Sequence, residues 1–154
     1  MGGHKKAQAE STANVAWQGS LVEGGGTIVG TGSGVLAGQA IDWQARTSGG
    51  SGGATTPEEL LAAAHASCYA MAFSHALAGH GTAPERLDVT ATVGFDPKVG
   101  GGFEVSFSRL AVRGTVPGLD AETFKRLARE ASQGCPISAA LKGNVQITAE
   151  ATLA

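Results

Sequence analysis

Cysteine is scarce in this chain, with two residues, Cys68 and Cys135, among 154. No apolar run approaches the roughly 18 residues needed for a membrane span. The basic segment Met1-Gly-Gly-His-Lys-Lys6 is followed by no hydrophobic stretch, so no signal peptide is expected. Formal net charge is only −2 and the basic residues are scattered, which excludes a nucleic-acid footprint. Gly49 to Gly53 lacks the terminal Lys-Ser/Thr of a phosphate loop and no strand–GxGxxG–helix unit occurs, which excludes nucleotide binding. The elbow motif of a Ser-His-Asp hydrolase is missing as well. Two cysteines without an export signal fit a reducing, cytoplasmic compartment, where stable structural disulfides are uncommon. A catalytic or redox thiol is the better use there, and two inert packed cysteines are the alternative.

Apolar residues make up 42% of the chain, enough for a core, and the length predicts one domain over residues 1–154. The 24 glycines gather at Gly24–Gly26, Gly49–Gly53 and Gly100–Gly102, between segments of different periodicity, and read as turns. Val15 and Trp17, Thr27–Val29, Val35–Leu36 and Ile41–Trp43 read as short strands of an antiparallel meander, and Ser48–Thr55 as a loop. Thr56-Pro57-Glu58-Glu59 starts a helix, with Thr56 as N-cap, Pro57 at the first position and Glu59 completing a capping box. That helix runs to about Leu77, ends at Gly79 and is apolar or small on nearly every side, the mark of a buried helix. Strands follow at Leu87–Val93 and Phe103–Val116. Asp120 then caps an amphipathic helix that Gly134 ends, Pro136 opens a short helix to Leu141, and Asn144–Leu153 closes the chain as a strand. Strands, buried helix, strands, helix pair and strand make an α+β fold, not a doubly wound sheet. One small sheet cannot cover a helix on all sides, which suggests a dimer that wraps strands over paired central helices.

The cysteines differ in setting. Cys135 precedes Pro136 at a helix N-terminus, where free N–H groups and the helix dipole favour a thiolate. Cys68 lies mid-helix and needs a cation brought from elsewhere. Arg46, placed at a strand end before the glycine-rich loop, is the candidate, with a solvated strand-end Arg as the alternative. Glu58 precedes Cys68 by ten positions, about 15 Å along a helix axis, too far to touch that sulfur. In an antiparallel pair of such helices it can approach the sulfur of a second copy. His65 and His75 share a broad helix face with Cys68, but over three turns these residues fit no standard metal spacing, and packing or hydrogen bonding is the better reading of both histidines.

Taken together, Thr55-Thr56-Pro57-Glu58-Glu59-Leu60, Ala63-Ala64-His65-Ala66-Ser67-Cys68 and Gly134-Cys135-Pro136-Ile137-Ser138 closely resemble the OsmC/Ohr family. His4-Lys5-Lys6, Ser33-Gly34-Val35-Leu36 and Val116-Pro117-Gly118-Leu119-Asp120-Ala121 favour its OsmC (osmotically inducible) branch. The chain departs from the pattern by an insertion near Glu10 to Asn14 and an expanded glycine-rich stretch after Arg46. The resemblance implies an intertwined homodimer, antiparallel sheets wrapped around buried central helices. It implies a thiol peroxidase that reduces organic hydroperoxides, and hydrogen peroxide more weakly. By motif Cys68 is then the peroxidatic cysteine, Cys135 the resolving one, and Arg46 and Glu58 the activating pair. No metal or bound cofactor is implied, and the expected reductant is an external dithiol or a lipoylated protein. Helix-terminus reasoning alone would instead make Cys135 the nucleophile. A non-catalytic redox sensor and a small-molecule binding module are the competing readings.

Overall fold

Alternation around Val15 and Trp17, broken by glycine, folds the first segment into a hairpin. β1 (Ala13–Gln18) pairs antiparallel with β2 (Gly25–Thr31), with a bulge between Asn14 and Val15, and β2 pairs antiparallel with β3 (Gln39–Ile41). Gly26 has no room for a side chain, since a Cβ there would stand 2.8 Å from both the Ala16 carbonyl oxygen and the Trp17 ring. The computed structural model describes residues 6–50 and 52–154, in two compact units, one ending at Thr56 and the other spanning Pro57–Ala154. His4 and Lys5, which carry part of the OsmC-branch resemblance, and Ser51 of the glycine-rich stretch lie outside the described residues.

Two strand expectations in the first unit fail for local reasons. Val35 and Leu36 form a turn. The strand at Ile41 stops there because the Asp42 carboxylate accepts the Ala45 N–H at 2.6 Å and so caps a helix, α1 (Trp43–Ser48). Gly49, at φ 83°, closes α1 in the left-handed conformation that glycine adopts without strain. Arg46 therefore stands in the last turn of a helix, not at a strand end. The stretch after it is not all loop either, because β4 (Ala54–Thr55) pairs parallel with β3.

The second unit is built on α2 (Pro57–Gly79), bounded as the Pro57 and Gly79 signals predict. Its buried residues, Glu58, His65, Tyr69, Phe73 and Leu77, form a stripe on one face. Within one chain the helix is thus not buried all round, and Met71, 73% exposed, marks its open apolar side. By length and composition α2 is also long and apolar enough to cross a bilayer, contrary to the expectation that no run is. In this fold it instead packs with β5, α3 and α4 and holds a buried histidine between two serines.

β5 (Arg86–Pro97), β6 (Phe103–Thr115) and β7 (Gln146–Leu153) make a three-stranded sheet in that order. β5–β6 is antiparallel and β6–β7 parallel, so both sheets are mixed rather than wholly antiparallel. α3 (Ala121–Gly134) starts where Asp120 accepts the Thr123 N–H at 2.9 Å, and α4 (Pro136–Leu141) follows after one residue, Cys135. Between sheet and helices lies the core of Tyr69, Phe73, Leu77, Leu110, Val112, Phe124, Leu127 and Ala131. The Phe73 and Phe124 rings meet at 5.0 Å between centroids, within the range of favourable aromatic pairs.

Gly114 is fixed by that packing, since a Cβ on it would lie 2.7 Å from the Phe124 ring. Gly114→Ala is expected to destabilise the fold by about 1–3 kcal/mol through overpacking. The measurement is the urea midpoint at constant m-value, and an unmoved midpoint contradicts the assignment.

Candidate functional site

Helix geometry brings together residues that are far apart in sequence. Cys68 lies on α2 one residue before the buried Tyr69, so its side chain is neither in the core stripe nor fully in solvent. Cys135 is the single residue between α3 and α4, wholly buried, and its own N–H bonds the Ala131 carbonyl of α3. Pro136 suits the first position of α4, where no N–H is needed. The result brings the two thiols, 67 positions apart, near enough for each to shift the other's ionisation, with both cysteines free.

The electrostatics divide the pair. Burial pushes the Cys68 thiol up, the hydrogen bond to Cys135 and that neighbour's charge push it further, and the Ile137 backbone N–H opposes them only in part. Burial also acts upward on Cys135, but the Cys68 hydrogen bond, the backbone N–H and hydroxyl of Ser138 and the Ile137 N–H outweigh it. Cys135 is therefore held below the ordinary thiol value. None of these groups closes a full side-chain cap on α4, so they act as dipoles aimed at sulfur. Of the two sulfurs, the one that helix-terminus reasoning selects is thus the more acidic, and the two titrate as a coupled pair. Tyr69, whose hydroxyl donates to the Ala128 carbonyl at 3.1 Å, is pushed up to about 12 by burial and then by the Cys135 charge.

His65 is the third buried group of the site. Its Nδ1 lies 2.6 Å from the Ser108 Oγ of β6 and its Nε2 2.8 Å from the Ser138 Oγ of α4. Burial holds the ring below its ordinary pKa, hence neutral near pH 7. The hydrogen-bonding reading of His65 holds, whereas His75 is exposed and does not share its face. Glu58 is buried at the start of α2, and Arg46 is half-buried in α1 of the other unit. Sequence reasoning missed Ser108, Ser138 and Tyr69. Ser108 carried a signal, because it shares the inward register of Leu110 and Val112, where a lone hydroxyl needs a partner.

A pair of neighbouring free thiols, one at a helix N-terminus, on an α+β scaffold defines a two-cysteine thiol protein. The chain belongs to the OsmC-like family, whose model (OsmC-like protein) matches residues 50–150. It is 42% identical over 144 residues to peroxiredoxin OsmC of Escherichia coli (strain K12), covering 94% of each chain. It is 35% identical over 109 residues to an organic hydroperoxide resistance protein of Xanthomonas axonopodis pv. citri, covering 67% of this chain and 71% of that one. Among solved structures, the OsmC organic hydroperoxide resistance protein of Legionella pneumophila matches with a TM-score of 0.68 at 28% identity, covering 96% of this chain and 99% of that one. OhrB of Bacillus subtilis matches with a TM-score of 0.66 at 26% identity, covering 92% and 98%.

Removing one thiol should move the other in a known direction. Cys68→Ala takes away a donor that favours the Cys135 anion, so Cys135 should titrate at higher pH than in the reduced parent. Cys135→Ser takes away a charge that disfavours the Cys68 anion, so Cys68 should titrate lower. Thiolate absorbance near 240 nm reads both, and independent titration of the two sulfurs contradicts their contact.

Proposed function

We propose that this protein is a cysteine peroxidase that reduces organic hydroperoxides, and hydrogen peroxide more weakly, to alcohols. The observation that carries the reading is a pair of neighbouring free thiols of unequal exposure, Cys68 half-buried and Cys135 sealed. A peroxide can reach the first and not the second, which supports Cys68 as the attacking sulfur and Cys135 as the resolving one. Relatives named peroxiredoxin and organic hydroperoxide resistance protein support the same class of chemistry.

Attack by the Cys68 thiolate on the distal peroxide oxygen breaks the O–O bond, releases an alkoxide that takes up a proton, and leaves a sulfenic acid. Cys135 then attacks the Cys68 sulfur. The S–S bond forms, the S–O bond breaks and water departs. An external dithiol or a lipoylated protein returns both thiols by exchange. Because Cys68 on its own sits above the ordinary thiol value, a cation must offset that shift at the moment of attack. Arg46, aligned by Glu58, is assigned that role, as the family motif has it. No metal or bound cofactor takes part in these steps.

The enzyme acts as a homodimer. Its support is the open side of α2, where Met71 is 73% exposed and Ala63, Ala64 and Ser67 are small enough to let a second helix approach. Met71→Glu is expected to shift the protein from dimer to monomer in analytical ultracentrifugation, and a chain that is already monomeric overturns the assembly.

Turnover with cumene hydroperoxide and a dithiol tests the chemistry. Cys68→Ser should abolish it, while Cys135→Ser should allow one oxidation followed by over-oxidation of Cys68, visible as added oxygen masses. Arg46→Ala should raise the pH at which Cys68 ionises. Turnover by Cys68→Ser reverses the cysteine roles. Thiol loss without turnover identifies a redox sensor instead, and no reaction at all a binding module.

A further inference from the structure

His65 has no part in the steps above, yet it is 0% exposed and both ring nitrogens are engaged. A buried ring so fully satisfied is either structural or coupled to something its partners touch. Ser138, the partner at Nε2, stands in the first turn of α4 three residues after Cys135, and its hydroxyl and backbone N–H act to lower that thiol. Four groups therefore stand in line: Ser108, His65, Ser138 and Cys135.

A neutral imidazole carries one N–H, so it can donate to only one of the two serines and must accept from the other. With the proton on Nδ1, the ring donates to Ser108 and the Ser138 hydroxyl donates to Nε2. The Ser138 oxygen can then only accept, from a Cys135 thiol. When Nε2 carries the proton, the ring donates to Ser138, whose own hydroxyl proton is free to be donated to a Cys135 thiolate, and Ser108 donates to Nδ1. We propose that His65 is a positioning residue for Cys135, its ring tautomer deciding whether the Ser138 hydroxyl donates a proton to that sulfur or accepts one from it.

The change between the two arrangements balances. Net, one proton leaves, from Cys135 to the hydroxide that departs from Cys68, while the ring proton passes from Nδ1 to Nε2 and the two serine hydroxyls turn round, so that each hydrogen bond keeps one proton. No charge rests on the ring, which suits a histidine whose imidazolium form burial disfavours. The ionisable group acting on Cys135 is Cys68 on α2, where Tyr69 stays neutral as Cys135 ionises, while β6 and α4 present the uncharged hydroxyls of Ser108 and Ser138. The inference rests on the resolving role proposed for Cys135. In that step the S–S bond forms, the S–O bond breaks, and the departing hydroxide takes one proton for the one Cys135 has given up.

Cys68→Ser leaves Cys135 as the sole cysteine of the chain, so 240 nm absorbance then reports it alone. In that background, nitrogen-15 shifts of the His65 ring, assigned by loss of signal in His65→Gln, should pass from the Nδ1–H to the Nε2–H pattern at the pH where Cys135 ionises. Adding Ser138→Ala should raise the Cys135 midpoint by roughly one pH unit, a tenfold change in thiolate, while Ser138→Thr restores it. In the two-cysteine protein, Ser138→Ala should slow disulfide formation roughly tenfold, by the same loss of thiolate, while Cys68 oxidation does not slow, because less Cys135 charge opposes the Cys68 anion. A ring tautomer that ignores the Cys135 titration, or a Cys135 midpoint unmoved by Ser138→Ala, overturns the proposal. Failure of the parent protein to form any disulfide after peroxide sinks the peroxidase reading instead, since the tautomer measurement uses no peroxide.

Discussion

The influence of Cys68 and Cys135 on one another's ionisation is the interaction on which the proposed chemistry turns. It exists because two independent pieces of geometry agree. A stripe of large residues, Tyr69, Phe73 and Leu77, seats α2 against the core and thereby sets where Cys68 faces. The break between α3 and α4, one residue long and followed by Pro136, presents Cys135 at the start of α4. Neither sulfur would find the other if α2 rotated or if α3 ran on.

What the contact does is make the two sulfurs unequal. One is harder to ionise and keeps some exposure, and the other is sealed and made the more acidic by N–H and O–H dipoles. The buried hydroxyls and imidazole behind Cys135 extend the polar site into the core, and every described buried polar side-chain atom there has a hydrogen-bond partner. Partial satisfaction of such a network would cost more than an apolar core.

Much of this was legible in the chain. Pro57, Gly79, Asp120, Gly134 and Pro136 delimit the helices because each acts through local backbone chemistry, and the α+β order follows. The last strand reads correctly because its period of two places Ile147, Ala149, Ala151 and Leu153 on one face. What failed was short and non-local. Asp42 turned an apparent strand into α1 by capping it, and the Ala54–Thr55 pairing is a two-residue parallel contact that no periodicity could announce. The cysteines were visible as residues, and helix-terminus reasoning found the acidic one. The histidine–serine line was not legible, because its members lie 43 and 73 positions apart in sequence and meet only through the packing of α2, β6 and α4.

The central claim is that both sulfurs belong to a single redox event. Reduced protein should be given one equivalent of cumene hydroperoxide and the free thiols counted, with non-reducing peptide mapping of the product. The account predicts the loss of two thiols per peroxide and a Cys68–Cys135 crosslink within one chain. Loss of a single thiol, or a crosslink only between chains, would contradict it.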